Sequence, residues 1–201
     1  MKVYRFLLPY LPYTKRWAQA ENRMSKKIGL LILIIIISII LASIYGFIHN
    51  QVSYLISTEY FTKFKFEQFG FVEYGLDTPR MTAGLIGIWA TWWFGLLIGL
   101  INGIVGLFQP TSKIMWKGAF GATIRNLLIT IGFGVVGILV GKFIISNLNT
   151  NWNIPADLTD RKSFLTAGTT HNFSYLGGII GLIYGIIFQL KIKKAYAQHR
   201  L

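Results

Sequence analysis

The sequence contains no cysteine, which removes disulfides, thiolate metal centres and dithiol redox chemistry. It is also short of acids: seven Asp and Glu stand against 20 Lys and Arg, and charged residues of both signs make up only 13% of 201 residues. No H-E-x-x-H, no G-x-S-x-G and no paired carboxylates within an apolar run occur, so metalloprotease, serine-hydrolase and acidic proton-relay chemistries lack their residues. Gly134 to Lys142, GVVGILVGK, has the glycines and lysine of a phosphate loop at the wrong spacing, and Phe143 stands where Ser or Thr is required.

What the chain has in excess is apolar surface. Hydrophobic residues make up 53% and aromatics 15%, with a mean hydropathy of +0.52, which places it among integral membrane proteins as one domain, residues 1–201. The net charge of +13 does not indicate nucleic acid, because the basic residues flank apolar runs, as cytoplasmic flanks facing anionic headgroups do. The expected fold is all-α: an integral membrane four-helix bundle with spans at about 28–48, 84–107, 118–145 and 173–190.

Glycine patterns these spans. Gly87, Thr91, Gly95, Gly99 and Gly103 recur every four residues, so successive members advance about 40° around a helix and form one smooth stripe. Ala122, Asn126, Thr130, Gly134, Gly137 and Gly141 share one side of the third span, and Ser174, Gly177, Gly178, Gly181 and Gly185 one side of the fourth. The first span has Ser38, Ala42 and Gly46, with His49 on that side just beyond. Stripes of this kind, glycine zippers, predict close helix packing in lipid.

The ends and loops set the orientation. Residues 1–27 hold seven Lys and Arg with interleaved aromatics, and Pro9 and Pro12 point to a short interfacial elbow there. The tail, 191–201, adds Lys191, Lys193, Lys194 and Arg200. With Lys113, Lys117 and Arg125, 14 of the 20 bases fall on the side of the termini, so both termini are expected in the cytoplasm. The loop 50–82 is aromatic and acidic, with five phenylalanines from Phe61 to Phe71, and should lie on the membrane or roof the bundle. Within it Ser57 can N-cap a short helix through Phe69 with Gly70 as its left-handed stop; the alternation Phe64, Lys65, Phe66, Glu67 argues for an extended piece instead, and the helix is the expected form. The loop 146–170, rich in Asn and Thr, reads as solvated.

Two constellations offer chemistry. Asn102, Arg125 and Asn126 fall at similar depth near the inner leaflet; they form either a headgroup or gating cluster, or an Asn–Asn bond with Arg125 snorkelling outward. His49 and His171 fall at outer helix ends below Glu59, a set that would suit a metal ion except that it lacks ligands at i, i+4 spacing. No cofactor is indicated, and no catalytic residue is identified.

The runs Ser57-Thr58-Glu59-Tyr60-Phe61-Thr62, Phe64-Lys65-Phe66 and Gln68-Phe69, with Ala90-Thr91-Trp92-Trp93 later, resemble segments of uncharacterised bacterial multi-span membrane proteins. The resemblance covers roughly a third of the chain and implies a bacterial inner membrane and no activity. The first functional expectation is a noncatalytic component that assembles with a second copy or another membrane protein through its glycine faces, with the bilayer and its anionic headgroups as its other partners. The second is a channel or small-solute transporter lined by Ser38, Thr91, Asn102, Asn126, Thr130 and Ser174. The third is a membrane-embedded enzyme acting on lipid or at an outer-face metal site, using His49, His171, Glu59 and Arg80.

Overall fold

A computed structural model describes residues 11–150 and 152–198, and the described residues are helical with no strand. Helix α1 spans Leu11–Ile56, α2 residues 58–69, α3 Val72–Asp77, α4 Pro79–Leu107, α5 Ser112–Phe143 and α6 Arg161–Gln198, with a 3₁₀ turn at Ile145–Asn147. Four of them, α1, α4, α5 and α6, are long and apolar enough to cross a membrane. The protein is a multi-pass integral membrane protein by this measure.

The long helices are inverted relative to a soluble protein. Ile32, Ile36, Ile40, Ile44 and Ile48 repeat every four residues along α1 and are exposed, as are Ile179, Ile183 and Ile187 on α6. The faces turned inward carry Ser38, Asn102, Thr123, Asn126 and Gln189, all buried. In lipid the aliphatic faces need no partner, whereas small and polar residues gain contacts and hydrogen bonds only against another helix.

Glycine sets the pairing. Gly46 and Gly87 meet backbone to backbone, so a Cβ on either would run into the other's carbonyl. Further along, a Cβ at Gly95 would lie 2.6 Å from the Ser38 carbonyl oxygen and one at Gly99 2.7 Å from the Ile35 Cα, while Gly103 faces Leu31. Because the α4 numbers rise as the α1 numbers fall, α1 and α4 run antiparallel. Likewise Gly134, Gly137 and Gly141 face Ser174, Phe173 and Thr166, and Gly177, Gly181 and Gly185 face Phe133, Asn126 and Ala122, pairing α5 with α6. The stripes are thus spent within the chain.

Each expected span lies inside a longer helical stretch. Residues 20–27, expected in an elbow, continue α1, as does Pro12. Residues 1–10 and 199–201 lie outside the described residues, and with them Pro9, Arg200 and His199. The segment 161–170, expected to be solvated, is the start of α6: Asp160 accepts from the Ser163 amide at 3.0 Å and hydroxyl at 2.6 Å, capping the helix. Residues 164 to 170 are buried. Hydropathy misses this stretch because Thr166, Ala167, Gly168, Thr169 and Thr170 are small or hydroxylic and are buried against protein.

Helix α2 closes one end of the molecule, here the loop end. Ser57 accepts from the Tyr60 amide at 3.2 Å, Phe61–Lys65 widens into a π turn, and Gly70 stops the helix at φ +71°. The Phe71 amide then reaches the Phe66 carbonyl at 2.8 Å, closing the left-handed cap. Tyr60, Phe61 and Phe66 pack on Ala83, Ile86, Phe164 and Ala167, so the aromatic segment is a roof over α4 and α6.

Candidate functional site

Between the two antiparallel pairs the helices leave a cavity of about 70 Å³. Its floor carries Ser38, Thr123, Asn126 and Thr130, its apolar walls include Leu41, Ile86, Phe94 and Ile98, and its roof is formed by His49, His171 and Lys65. The volume suffices for on the order of five waters.

On the side of the short turn 108–111, a polar line leads away from the cavity. Ser38 and Thr123 approach to 3.4 Å, Asn102 Nδ2 donates to Thr123 at 3.4 Å, Gln189 Nε2 donates to Asn102 Oδ1 at 3.2 Å, and Gln109 Nε2 donates to the Gln189 carbonyl at 2.9 Å. Lys27 ends it, donating to the carbonyls of Leu107 at 2.9 Å and Gln109 at 2.6 Å, where the helix dipole of α4 favours a cation. On the loop side a second line begins at Ser174, which donates to the Thr170 carbonyl and accepts from the Tyr45 hydroxyl at 2.9 Å. Since Tyr45 spends its proton on Ser174, its 3.2 Å contact with His49 Nδ1 is donated by the histidine. His49 Nε2 is then a bare acceptor, buried and without a partner.

His171 lies against His49 edge to face, with ring centroids 4.6 Å apart. Its Nδ1 is 2.9 Å from the Ala167 carbonyl and its Nε2 3.1 Å from Asn50 Oδ1. The orientation of Asn50 is fixed, because its Nδ2 donates to the Ala83 carbonyl at 2.9 Å. Both ring nitrogens of His171 therefore face oxygen acceptors, a set that only the doubly protonated ring satisfies fully. The rings of Tyr60 and Phe61 stand 5.0 and 6.3 Å from it.

Lys65 enters from the π turn of α2, with its ammonium 4.9 Å from the Phe64 ring centroid and 5.5 Å from that of Tyr60. Its Nζ donates to Gln68 Oε1 at 2.8 Å, and among the described residues it joins no ion pair. Burial lowers its pKa to about 8, still charged at neutral pH, and burial raises that of the Tyr60 hydroxyl.

The other expected site residues lie elsewhere. Glu59 is directed at the second loop, accepting from the amides of Thr159 at 3.0 Å and Asp160 at 2.8 Å, and pairing with Lys63 at 2.9 Å. Those amides hold its carboxyl down to about 2. It does not join the two histidines, and no group of three His, Cys, Asp or Glu suited to a metal occurs among the described residues. The Arg80 carbonyl accepts from Gln51. Arg125 stacks 3.7 Å over the Phe188 ring and donates to the Gly121 carbonyl. Asn126 donates to the Gly178 carbonyl and accepts from Thr130, so Asn102 and Asn126 bond to different partners rather than to each other.

The sequence does not single out Tyr45, Asn50, Thr123 and Gln189. Gln189 had a signal, since it continues the Gly181, Gly185 spacing by one more turn. Lys65 is visible in the aromatic segment, but its place at the cavity is not, because that depends on the fold of α2. Comparison with protein-family models, with curated proteins and with solved structures finds no match.

Proposed function

We propose that the protein is a small-solute transport protein of the membrane, a channel or carrier, whose path follows the seam between the α1–α4 and α5–α6 pairs. The observation that carries this reading is the succession of polar groups that runs from half-buried Lys27 through buried Gln109, Gln189, Asn102 and Thr123 to the cavity, and from the cavity to buried His171 and half-buried Lys65. Asn, Gln, Ser and Thr also bond helices together, but ionisable groups such as His and Lys are costly at membrane depth and mark ligand or ion paths. Here they meet at a cavity with room for water or a solute.

The distribution of bases favours both termini in the cytoplasm, which puts the α2 roof outside. The same positive flanks suit anionic headgroups.

The test is flux in vesicles reconstituted with purified protein, read for protons, glycerol, butylammonium and propanesulfonate. At least one should cross faster than in protein-free vesicles, and Asn126→Leu at the cavity floor should cut that flux about tenfold while leaving helix content unchanged. Flux no faster than in protein-free vesicles for all four, or unaltered by Asn126→Leu, rejects the reading.

A second reading, assembly with a copy or another membrane protein, draws on the exposed aromatic face of α4 at Trp89, Trp92 and Trp93, since the glycine faces are already engaged. Crosslinking in membranes that yields only monomer rejects it.

A further inference from the structure

We propose that the cavity is a binding site for a small monocarboxylate with a short apolar body, taken up together with a proton. The inference rests on the transport reading only for passage across the membrane; the site itself stands on four observations.

The cavity is lined by Lys65, His49 and His171 and by no Asp or Glu. Among the described residues this half-withdrawn ammonium has Gln68, aromatic rings and His171 near it and no counter-charge, and an anion in the cavity supplies one. The wall of Leu41, Ile86, Phe94 and Ile98 suits an aliphatic body of a few carbons, and the volume of about 70 Å³ limits its length. Finally, the two histidines present one proton vacancy between them: His171 faces two acceptors, and His49 Nε2 is a buried acceptor with no donor.

A proton on this pair together with a carboxylate near Lys65 completes the set, because a lone buried imidazolium is costly and a paired one much less so. The groups that face His171 are Ala167 on its own helix, His49 and Asn50 from α1, and Tyr60, Phe61 and Lys65 from α2. None of these is an acid, so the anion must come from outside.

The test is calorimetric titration of the purified full chain in detergent with butyrate, butyramide and butylammonium, repeated in buffers of different ionisation enthalpy. Butyrate should bind saturably, one per chain, with about one proton taken up, and should weaken as the pH rises through about 8, where Lys65 loses its charge. Lys65→Met should weaken butyrate by about tenfold or more, and Lys65→Arg should restore most of it. Binding of butyramide or butylammonium as tight as that of butyrate, an unchanged affinity in Lys65→Met, or binding without proton uptake overturns the proposal. A carboxylate could reach the site from solution or from the bilayer; dodecanoate binding more tightly than butyrate assigns it to the bilayer and overturns the short-chain assignment. Butyrate failing to bind while another solute crosses vesicles removes this proposal and leaves transport standing. Butyrate binding without flux of any solute removes transport and leaves the site.

Discussion

At Gly99 the α4 backbone passes so near α1 that an added Cβ would lie 2.7 Å from the Ile35 Cα, a backbone atom that no rotamer change can move aside. Gly132 on α5 offers the contrast, with nothing within 4 Å of its missing side chain. Gly99→Leu should therefore destabilise the folded protein by about 1–3 kcal/mol or more through overpacking, and Gly132→Leu should leave it unchanged or better. Thermal unfolding in detergent measures both, and equal midpoints would refute the role given to Gly99. The stripe itself was readable from four-residue spacing. Its partner was not, since spacing identifies a smooth face and leaves open whether the chain or another molecule covers it. Thr91 illustrates this: it belongs to the stripe, and only the structure reveals that its hydroxyl bonds the Ala42 carbonyl across the interface at 2.8 Å.

The elements differ in how openly their ends are signalled. Ser57 and Gly70 delimit α2 through a cap and a left-handed stop, two features with a local chemical cause, and both were legible. Ser57→Ala should cost about 1 kcal/mol at this helix. The start of α6 was harder to read, because the same Asp160 that caps it also lies in a polar run that resembles a loop. Between these two elements Glu59 forms a latch to Thr159 and Asp160. Its folded-state pKa of about 2 lies below the ordinary 4.5. The latch thus contributes fully above about pH 4.5 and loses its contribution as the pH falls through about 2. Hydrogen-exchange protection of the Thr159 and Asp160 amides should show this dependence, and Glu59→Ala should lower their protection at pH 7. Protection that is the same in both proteins would dissolve the latch.

For the whole molecule, four apolar stretches and their glycine faces were legible because lipid imposes a length and a composition on any spanning helix. The cavity was not, because it arises where two pairs fail to touch, and its roof depends on a π turn that no spacing announces. The absence of cysteine makes the orientation simple to test, since a single introduced thiol has no background. Asn149→Cys, at the loop end, should react with a membrane-impermeant maleimide in intact cells, and Lys193→Cys only after lysis. The opposite pattern would invert the topology.

Gly46 against Gly87 and Gly141 against Thr166 join long helices that are consecutive among the four of membrane length, and the two pairs are bridged by the short connection at 108–111. During synthesis the first pair is complete before the second emerges, so each can enter the bilayer as a hairpin and mature separately. A chain cut at Pro110 and expressed as two pieces should reassemble in the membrane, recoverable by affinity capture of one piece with the other. The short turn would then serve as a tether that raises local concentration rather than as a structural necessity.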